Sequence, residues 1–235
     1  MCLPLHAAAL DAARVTSGTR LLDAGCGAGL PALLASLRGA RVAALDASPA
    51  LLAIARERLP AAELREGDLE ALPFDDAGFD AVVAVNSVFY AADMAQAMRE
   101  LARVARPGGR VVVTAWGPPE RCEFLRAVMP RLAPLVPPPP PRPGRLSDPG
   151  ALAATLAQAG PEVVEEGEVA CPFVFASAEA SWRGNAAAGV NQAAITHSGD
   201  AAVRAVYAET DRAHTRPDGS VRYDNVFIWA AGRRP

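Results

Sequence analysis

A turn with glycine at three alternate positions, Gly25, Gly27 and Gly29, joins a short apolar strand at 19–22 to an apolar helix. The leucines after the turn recur at helical spacing, which predicts that the strand leads directly into the helix. Glycine at such a turn permits positive φ and lets the backbone approach a ligand with no Cβ in the way. The turn also directs the unpaired amide groups of a helix N-terminus across the end of a sheet. Asp23 lies two residues before the first glycine, where a carboxylate would repel a pyrophosphate and attract a cation or an amine.

Strand and helix patterns alternate through the first half of the chain. Each predicted strand is a short apolar run, and each predicted helix has its apolar residues on one face. This alternation predicts an α/β fold with a doubly wound, parallel sheet and right-handed crossovers. The predicted strands cover 19–22, 41–45, 62–66, 79–85 and 110–116, the helices cover 3–15, 30–37, 49–58 and 93–105, and a last strand covers 223–232.

The pattern changes after residue 116, where helical segments and prolines predominate. Five consecutive prolines at 137–141 indicate a stiff spacer, because they join two ordered segments. A ligand for a proline-recognising module is the alternative. Helices are predicted at 121–135, 148–159 and 177–207, and an extended segment is predicted at 163–175.

Composition excludes several kinds of chemistry. The chain has 235 residues, a length that fits one globular domain with an inserted cap. Its 23 basic and 26 acidic residues give a net charge of −3, so we expect no nucleic-acid partner. Every basic residue is arginine, which excludes Schiff-base, pyridoxal-phosphate and P-loop lysine chemistry.

The cysteines and the N-terminal stretch predict a location. Cys2, Cys26, Cys122 and Cys171 show no C-x-x-C spacing, so we expect neither a metal site nor a disulfide framework. This pattern fits a reducing compartment. The stretch 1–10 lacks the basic region of a signal peptide, and no apolar run approaches the length of a membrane span. We therefore expect a soluble, cytoplasmic protein.

Polar residues follow three further predicted strands. Asp46 ends the second strand, Asp68 follows the third, and Asn86 follows the fourth. In an open α/β sheet these carboxyl ends meet at one edge, where ligands bind. Asp46 could accept both hydroxyl groups of a ribose, and Asp68 could accept from the amine of an adenine. With Asp23 beside the glycines, this arrangement predicts an adenosyl group that carries an amino acid.

Each of these features alone has a more ordinary explanation. The glycine turn would also suit a nicotinamide cofactor, and Asp46 could be a solvated strand end. Asp68 could be a common turn residue. A nicotinamide-dependent oxidoreductase, however, would not explain Asp23 together with Asp68.

The motifs, taken in this order, resemble those of the class I S-adenosylmethionine-dependent methyltransferases. Residues 22–29 resemble the first motif of that family, and Asp46, 67–74 and 101–109 resemble later motifs in order and spacing. The most similar type is that of ubiquinone and menaquinone biosynthesis, with its many small-molecule relatives. The resemblance covers 3–116 and extends only weakly beyond.

The resemblance implies a fold and a set of cofactor contacts. The sheet would have the order 3-2-1-4-5-7-6, with an antiparallel seventh strand at 223–232. Residues 1–116 and 223–235 would form the core, and 117–222, including strand six, a mostly helical cap for the substrate. The cofactor would be S-adenosyl-L-methionine, released as S-adenosyl-L-homocysteine. The glycine turn would hold its methionine part, Asp46 its ribose, Asp68 and Leu69 its adenine, and Asn86 its sulfonium; the full predicted set is Asp23, Gly25, Cys26, Gly27, Gly29, Asp46, Ala47, Asp68, Leu69, Asn86 and Ser87.

Methyl transfer from a sulfonium is an in-line displacement, so the protein must mainly position the nucleophile and exclude water. A general base is required only if the nucleophile carries a proton. Candidates are His197 and Tyr90, followed by His214 and Tyr207. We expect a small apolar or aromatic metabolite as substrate, and a homodimer is compatible with the sequence. The aromatic residues that could line its pocket, although core packing is the usual role of such residues, are Phe89, Tyr90, Trp116, Phe173, Phe175 and Trp182.

A protein that binds this cofactor without transferring the methyl group, as a regulator or a non-methylating catalyst, would carry every one of these motifs.

Only about twenty residues precede the first strand, so the N-terminal lid of many relatives is expected to be short. The segment 117–222, or another subunit, would then enclose the substrate.

Overall fold

The computed structural model describes residues 2–137 and 145–235, which form two compact units. Of the predicted proline run at 137–141, only Pro137 lies within the described residues. The larger unit, here called the sheet unit, contains Leu3–Trp116, Leu146–Val169 and Phe227–Pro235. The smaller, here called the helical unit, contains Met1–Cys2, Gly117–Arg145 and Ala170–Val226.

The predicted alternation of helices and strands holds through residues 3–116, and the elements after residue 116 belong partly to the sheet unit and partly to the helical unit. In chain order the elements are α1 (Leu3–Ala12), β1 (Arg20–Ala24), α2 (Leu30–Leu37), β2 (Arg41–Asp46), α3 (Pro49–Arg58), β3 (Glu63–Glu66), β4 (Phe79–Val85), α4 (Met94–Val104), β5 (Ala105–Trp116), α5 (Glu123–Leu132), α6 (Ala151–Gln158), β6 (Glu162–Ala170), β7 (Phe173–Phe175), α7 (Ala178–Ala186), α8 (Gly189–Ser198), α9 (Asp200–His214), β8 (Val221–Tyr223) and β9 (Val226–Arg233).

The main sheet has seven strands in the order β3-β2-β1-β4-β5-β9-β6. β1 pairs in parallel with β2 and β4, whereas β5 pairs antiparallel with β9. Because β9 is the seventh strand of this sheet along the chain, the predicted order 3-2-1-4-5-7-6 and the predicted fold class are confirmed.

The central strands are apolar because helices cover both faces of such a sheet. Leu22, Val82, Val111 and Val113 are fully buried in one continuous core with Leu101 of α4. Burial of each such side chain stabilises the fold by roughly 1.5–3 kcal/mol. These strands therefore hold the carboxyl edge of the sheet in a fixed geometry.

Two predicted segments are each divided in the structure. The extended segment at 163–175 separates into β6 and β7, and the strand at 223–232 separates into β8 and β9. β7 and β8 pair with each other in a second, two-stranded sheet. At the division after Tyr223, the Asn225 side chain donates to the Tyr223 carbonyl at 3.1 Å. Its Oδ1 atom also accepts from the Phe124 N–H at 3.1 Å.

The predicted helix at 93–105 ends one residue early. Asp93 caps its N-terminus, where the carboxylate accepts from the Gln96 N–H at 2.9 Å. α4 then ends at Val104, and Ala105 pairs with Phe79 as the first residue of β5. The register shifts between Phe79 and Ala81, so the turn at 106–109 is accommodated as a bulge within the strand.

Aromatic side chains form the interior of the helical unit. The ring of Phe124 lies 5.4 Å from the rings of Phe173 and Tyr223, and Trp182 lies 5.8 Å from Tyr207, between centroids. Residues Leu146–Val169, which include α6 and most of β6, lie in the sheet unit, so the helical unit is smaller than the predicted cap at 117–222. That this cap holds the substrate remains a prediction.

Over residues 2–137 and 145–235, the structure has no helix with both the length and the apolar character needed to cross a membrane.

Candidate cofactor site

The glycine turn lies between β1 and α2, and all three of its glycines have positive φ: 75° at Gly25, 54° at Gly27 and 80° at Gly29. A Cβ atom on Gly25 would lie 2.3 Å from the Cβ of Ser87, so the close approach of these two segments requires glycine. A Cβ atom on Gly27 would meet no atom within 4 Å. The middle of the turn therefore has an open side that a ligand can approach.

Asp46 holds the glycine turn through its carboxylate. The Gly27 N–H donates to Asp46 Oδ2 at 2.7 Å, and the Ser48 N–H donates to Asp46 Oδ1 at 2.9 Å. The N–H groups of Gly25 and Cys26 both donate to the Leu45 carbonyl, at 2.8 and 2.9 Å. A carboxylate can accept about four hydrogen bonds, so Asp46 retains acceptor positions for the hydroxyl groups of a ligand.

Asp23 is completely buried at the end of β1. Its Oδ2 atom accepts from the Ala32 N–H in the first turn of α2 at 3.0 Å. In the part of the chain that the structure describes, its Oδ1 atom has no hydrogen-bond partner. Burial raises the pKa of Asp23 to about 7, with a further contribution from the Asp46 carboxylate, while the Ala32 N–H opposes the change. An unpartnered buried oxygen fits a site that attracts a cationic group.

Asn86 and Ser87 lie directly after β4 and beside the turn. Asn86 has a φ of 53°, which is uncommon for a residue other than glycine. Its N–H donates to Thr114 Oγ1 at 3.0 Å, and the Thr114 hydroxyl donates to Asn86 Oδ1 at 3.2 Å. The Ser87 hydroxyl donates to the Ala24 carbonyl at 2.7 Å. Thr114 was missed in the sequence, although it is the one hydroxyl group in the apolar run 111–115.

The motif at 67–74, here called the adenine loop because Asp68 and Leu69 are its predicted adenine contacts, lies between β3 and β4. Asp68 is exposed, and its Oδ1 atom accepts from the Glu70 N–H at 2.9 Å. Leu69 is half-buried, and its Cδ1 atom lies 3.7 Å from the position that a Cβ on Gly25 would take. The loop therefore reaches the glycine turn.

Two charged side chains that the sequence interpretation missed hold this loop against α4. Glu70 Oε1 accepts from the N–H groups of Ala92 and Asp93, at 2.6 and 3.0 Å. Arg103 donates to the carbonyls of Leu72 and Phe74, both at 2.9 Å. For Arg103, the only signal in the sequence is that Glu100 lies three residues before it on α4, a spacing that surface ion pairs also produce.

The predicted substrate residues fall into two groups. Within the sheet unit, Phe89 and Tyr90 lie on a single 3₁₀ turn after β4, and the side chain of Tyr90 is 65% exposed. Trp116 ends β5, with its ring centroid 4.4 Å from that of Phe227. The other three, Phe173, Phe175 and Trp182, are buried in the helical unit.

The candidate bases have no common location. His197 is exposed near the end of α8. His214 Nδ1 lies 2.8 Å from the Thr210 carbonyl, and its ring stacks on Tyr223. The Tyr207 hydroxyl donates to Asn191 Oδ1 at 3.0 Å, and burial raises the pKa of Tyr207 above its ordinary value. The structure therefore brings together the predicted cofactor residues of the sheet unit. It does not bring the four candidate bases together; they are His197, Tyr90, His214 and Tyr207.

Known proteins resemble this chain over the same region. Residues 22–113 match the family described as "Methyltransferase domain". A demethylmenaquinone methyltransferase from Chlorobaculum tepidum is 45% identical over 91 residues, which cover 38% of this chain and 38% of that protein. A malonyl-[acyl-carrier protein] O-methyltransferase from Serratia marcescens is 42% identical over 95 residues, covering 40% of this chain and 37% of that protein. The chain thus matches less than two fifths of the length of either relative.

The fold extends further than the sequence similarity. A solved structure of a putative methyltransferase from Bacillus halodurans covers 98% of this chain and 98% of its own, with a TM-score of 0.64 and 17% identity. This likeness shows the fold alone. Together with the motifs at the carboxyl edge of the sheet, the family match confirms, for residues 22–113, the resemblance to the class I, S-adenosylmethionine-dependent methyltransferases stated from the sequence.

Proposed function

We propose that the protein is an S-adenosylmethionine-dependent methyltransferase that acts on a small apolar or aromatic metabolite. The observation that carries this proposal is the pair of carboxylates, Asp23 and Asp46, on either side of an open glycine turn. Two carboxylates at this position disfavour a pyrophosphate and favour a ligand with hydroxyl groups and positive charge. An adenosyl group that carries an amino acid has both.

The residues of the sheet unit fit this cofactor at four points. The open side of Gly27 leaves space for the methionine part, and Asp46 retains acceptor positions for the ribose. The unpartnered Oδ1 atom of Asp23 suits the positive end of the ligand. Leu69, half-buried and near the turn, offers an apolar contact for the adenine ring. The predicted roles of five further residues follow from their positions along the same edge. These residues are Cys26, Ala47, Asp68, Asn86 and Ser87.

When bound, the cofactor supplies an electrophilic methyl group on a sulfonium. The chain's own residues would hold the acceptor in line and exclude water. Asn86 has the position for this task, because Thr114 fixes its backbone and side-chain oxygen. Phe89 and Tyr90 follow β4 at the same edge and would contact the acceptor. If the acceptor carries a proton, His197 and Tyr90 are the predicted candidates for the general base.

The wider assignments rest on the same proposal. The cap at 117–222 would contribute acceptor contacts through Phe173, Phe175 and Trp182. A small molecule, rather than a nucleic acid, would be the acceptor, and the chain would work in the cytoplasm, in accord with its four free cysteines. A homodimer remains a prediction, which light scattering on the purified chain would test.

Calorimetry with S-adenosylmethionine, S-adenosylhomocysteine and NAD tests the cofactor assignment. We expect both adenosyl ligands to bind and NAD not to bind. Tight NAD binding with no response to either adenosyl ligand would overturn the proposal. Labelled cofactor, incubated with a panel of phenolic, quinone and polyketide-like acceptors, then separates a methyltransferase from a protein that only binds the cofactor. Transfer of label to an acceptor is expected.

A further inference from the structure

A polar cavity lies at the amino edge of the main sheet, in the sheet unit. Its volume is about 650 Å³, and its lining comes from the segments that precede or begin β1, β4 and β5, from β6 and from the end of β9. β1 begins at Arg20 and ends at Ala24, beside the glycine turn, so roughly 13 Å of strand separates the two edges. The charged residues that line the cavity are Arg14, Arg106, Arg110, Arg233, Asp80 and Glu165.

Three of these four arginines have carboxylate partners. Arg106 pairs with Asp80 at 2.6 Å, and Arg110 pairs with Glu165 at 3.5 Å. Arg233 pairs at 3.1 Å with Glu162, which adjoins the lining. These pairs neutralise one another, and the positive charge that remains is that of Arg14.

Arg14 is the exception in this cluster. In residues 2–137 and 145–235, its guanidinium has no ion pair or hydrogen bond. Arg110 lines the same cavity and donates to the Ala12 carbonyl at 3.0 Å. An arginine that faces a polar cavity without a counter-charge favours an oxyanion there, because its planar fork matches carboxylate and phosphate oxygens.

The backbone of Arg14 gives an independent reason. α1 ends in a Schellman motif, in which the Val15 N–H donates to the Leu10 carbonyl at 3.0 Å and the Arg14 N–H donates to the Asp11 carbonyl at 2.9 Å. This places Arg14 at the position of the motif that favours glycine, with a φ of 54°.

The end of α2 provides the comparison within the same chain. There the Ala40 N–H donates to the Ala35 carbonyl at 3.1 Å and the Gly39 N–H to the Ser36 carbonyl at 2.8 Å, so glycine occupies the equivalent position with a φ of 83°. Arginine at the end of α1 therefore goes against a local preference that the chain follows elsewhere. A strained residue at a ligand site is a common form of this compromise.

We propose that this cavity binds a small oxyanion, the phosphate or carboxylate group of a metabolite, with Arg14 as the main contact and Arg110 and Arg106 beside it. Arg14 is exposed, so binding should be of modest affinity and should weaken as salt screens the charge. The site is separate from the glycine turn, and the proposal does not depend on the methyltransferase activity.

Thermal melting and calorimetry with inorganic pyrophosphate test this site, with inorganic phosphate and succinate as further probes. Sodium chloride at matched ionic strength is the control for non-specific screening. We expect pyrophosphate to raise the melting temperature above the chloride control and to bind more tightly than phosphate. Succinate binding as tightly as pyrophosphate would indicate a carboxylate ligand of the same class. No effect of any probe beyond chloride would overturn the proposal.

The Arg14→Gly variant gives the sharper test. Without anions it should melt at the same temperature or higher, because glycine suits the left-handed position. Its affinity for pyrophosphate should fall by roughly fivefold or more. Arg216→Gly removes the same charge from an exposed turn of the helical unit and should leave binding unchanged. Unaltered pyrophosphate binding in Arg14→Gly would assign Arg14 to the structure of the helix end and overturn the proposal.

Discussion

The Asp46 carboxylate accepts a hydrogen bond from the Gly27 N–H at 2.7 Å. The residue that sequence reasoning assigns to a ribose thus also fixes the turn that would hold the methionine part of the cofactor. Its second oxygen accepts from Ser48 at the start of α3, so one carboxylate connects two loops of the same edge. Substitution of Asp46 should therefore affect cofactor binding both directly and through the shape of the turn.

Asp46→Ala is expected to weaken S-adenosylmethionine binding by about ten- to a hundredfold. Loss of hydrogen bonds to a charged group costs roughly 1.5–3 kcal/mol, and the turn loses its support in addition. Asp46→Asn, which retains an acceptor oxygen, should bind with intermediate affinity. Calorimetry measures both, with Asp75→Ala in an exposed turn as the control. Wild-type affinity in a folded Asp46→Ala protein would mean that Asp46 does not contact the cofactor.

Much of the sheet unit could be predicted from the sequence, because its signals are local. The buried strands β1, β4 and β5 read as short apolar runs, and Asp46 and Asn86 follow such runs directly. The parallel topology then places the ends of these strands at one edge without further information. The location of the glycine turn depends on nothing else, whereas the sheet order 3-2-1-4-5-7-6 was implied by the resemblance to the class I methyltransferases.

The contacts that support the site could not be predicted in this way. Thr114 and Asn86 are 28 residues apart, and Arg103 reaches a carbonyl 31 residues away at Leu72. Which polar side chain meets which backbone group depends on strand register and helix rotation, which a single sequence does not specify. The division of the last strand had a weak local signal in Asp224 and Asn225, two polar residues within an apolar run.

The buried carboxyl of Asp23 should make stability depend on pH. Burial raises its pKa from 3.8 to about 7 in the folded protein. Well below pH 3.8 the group is protonated in both the folded and the unfolded chain. As the pH rises towards 7, the unfolded chain releases its proton first, so the free energy of unfolding decreases; above 7 the cost is constant.

Asp23→Asn removes this titration and is the test. Relative to the native protein, the free energy of unfolding of the variant should increase between pH 4 and pH 7, by about 4 kcal/mol at most, at 1.36 kcal/mol per pKa unit. Urea denaturation at pH 4.5 and pH 8 measures the difference, and Asp75→Asn should show none. Parallel pH profiles of Asp23→Asn and the native protein would contradict the raised pKa.

Thr114→Val should separate positioning from folding. Valine keeps the shape of the side chain, but Asn86 loses both its acceptor for the N–H and its donor to Oδ1. We expect a loss of about 1–3 kcal/mol in stability and a several-fold weaker binding of S-adenosylmethionine. Thr155→Val is the matched control, because among the described residues the Thr155 hydroxyl donates to the Ala151 carbonyl within its own helix, α6. Equal effects of both substitutions on cofactor binding would rule out a positioning role for Thr114.

Burial does not distinguish an acceptor contact from core packing for three aromatic residues of the helical unit. Phe173, Phe175 and Trp182 are each less than 9% exposed, so any substitution will reduce stability, by as much as about 3–5 kcal/mol for Phe→Ala. A change in activity is informative only if the variant is folded. Leucine is therefore the better replacement, since it retains most of the apolar volume.

If residues 117–222 hold the acceptor, Phe175→Leu is expected to reduce kcat/KM for the acceptor by about tenfold, while the cofactor affinity stays within about twofold. A tenfold reduction of kcat/KM corresponds to roughly 1.4 kcal/mol of transition-state binding. Phe79→Leu is the matched control, a buried aromatic at the first residue of β4 in the sheet unit. Phe79→Leu should reduce stability without lowering kcat/KM for the acceptor relative to the cofactor affinity. Steady-state kinetics and calorimetry on folded variants, checked by their melting temperatures, give both quantities. Loss of cofactor binding with intact acceptor kinetics would assign Phe175 to the core and direct the search for the acceptor contacts to Phe89, Tyr90 and Trp116.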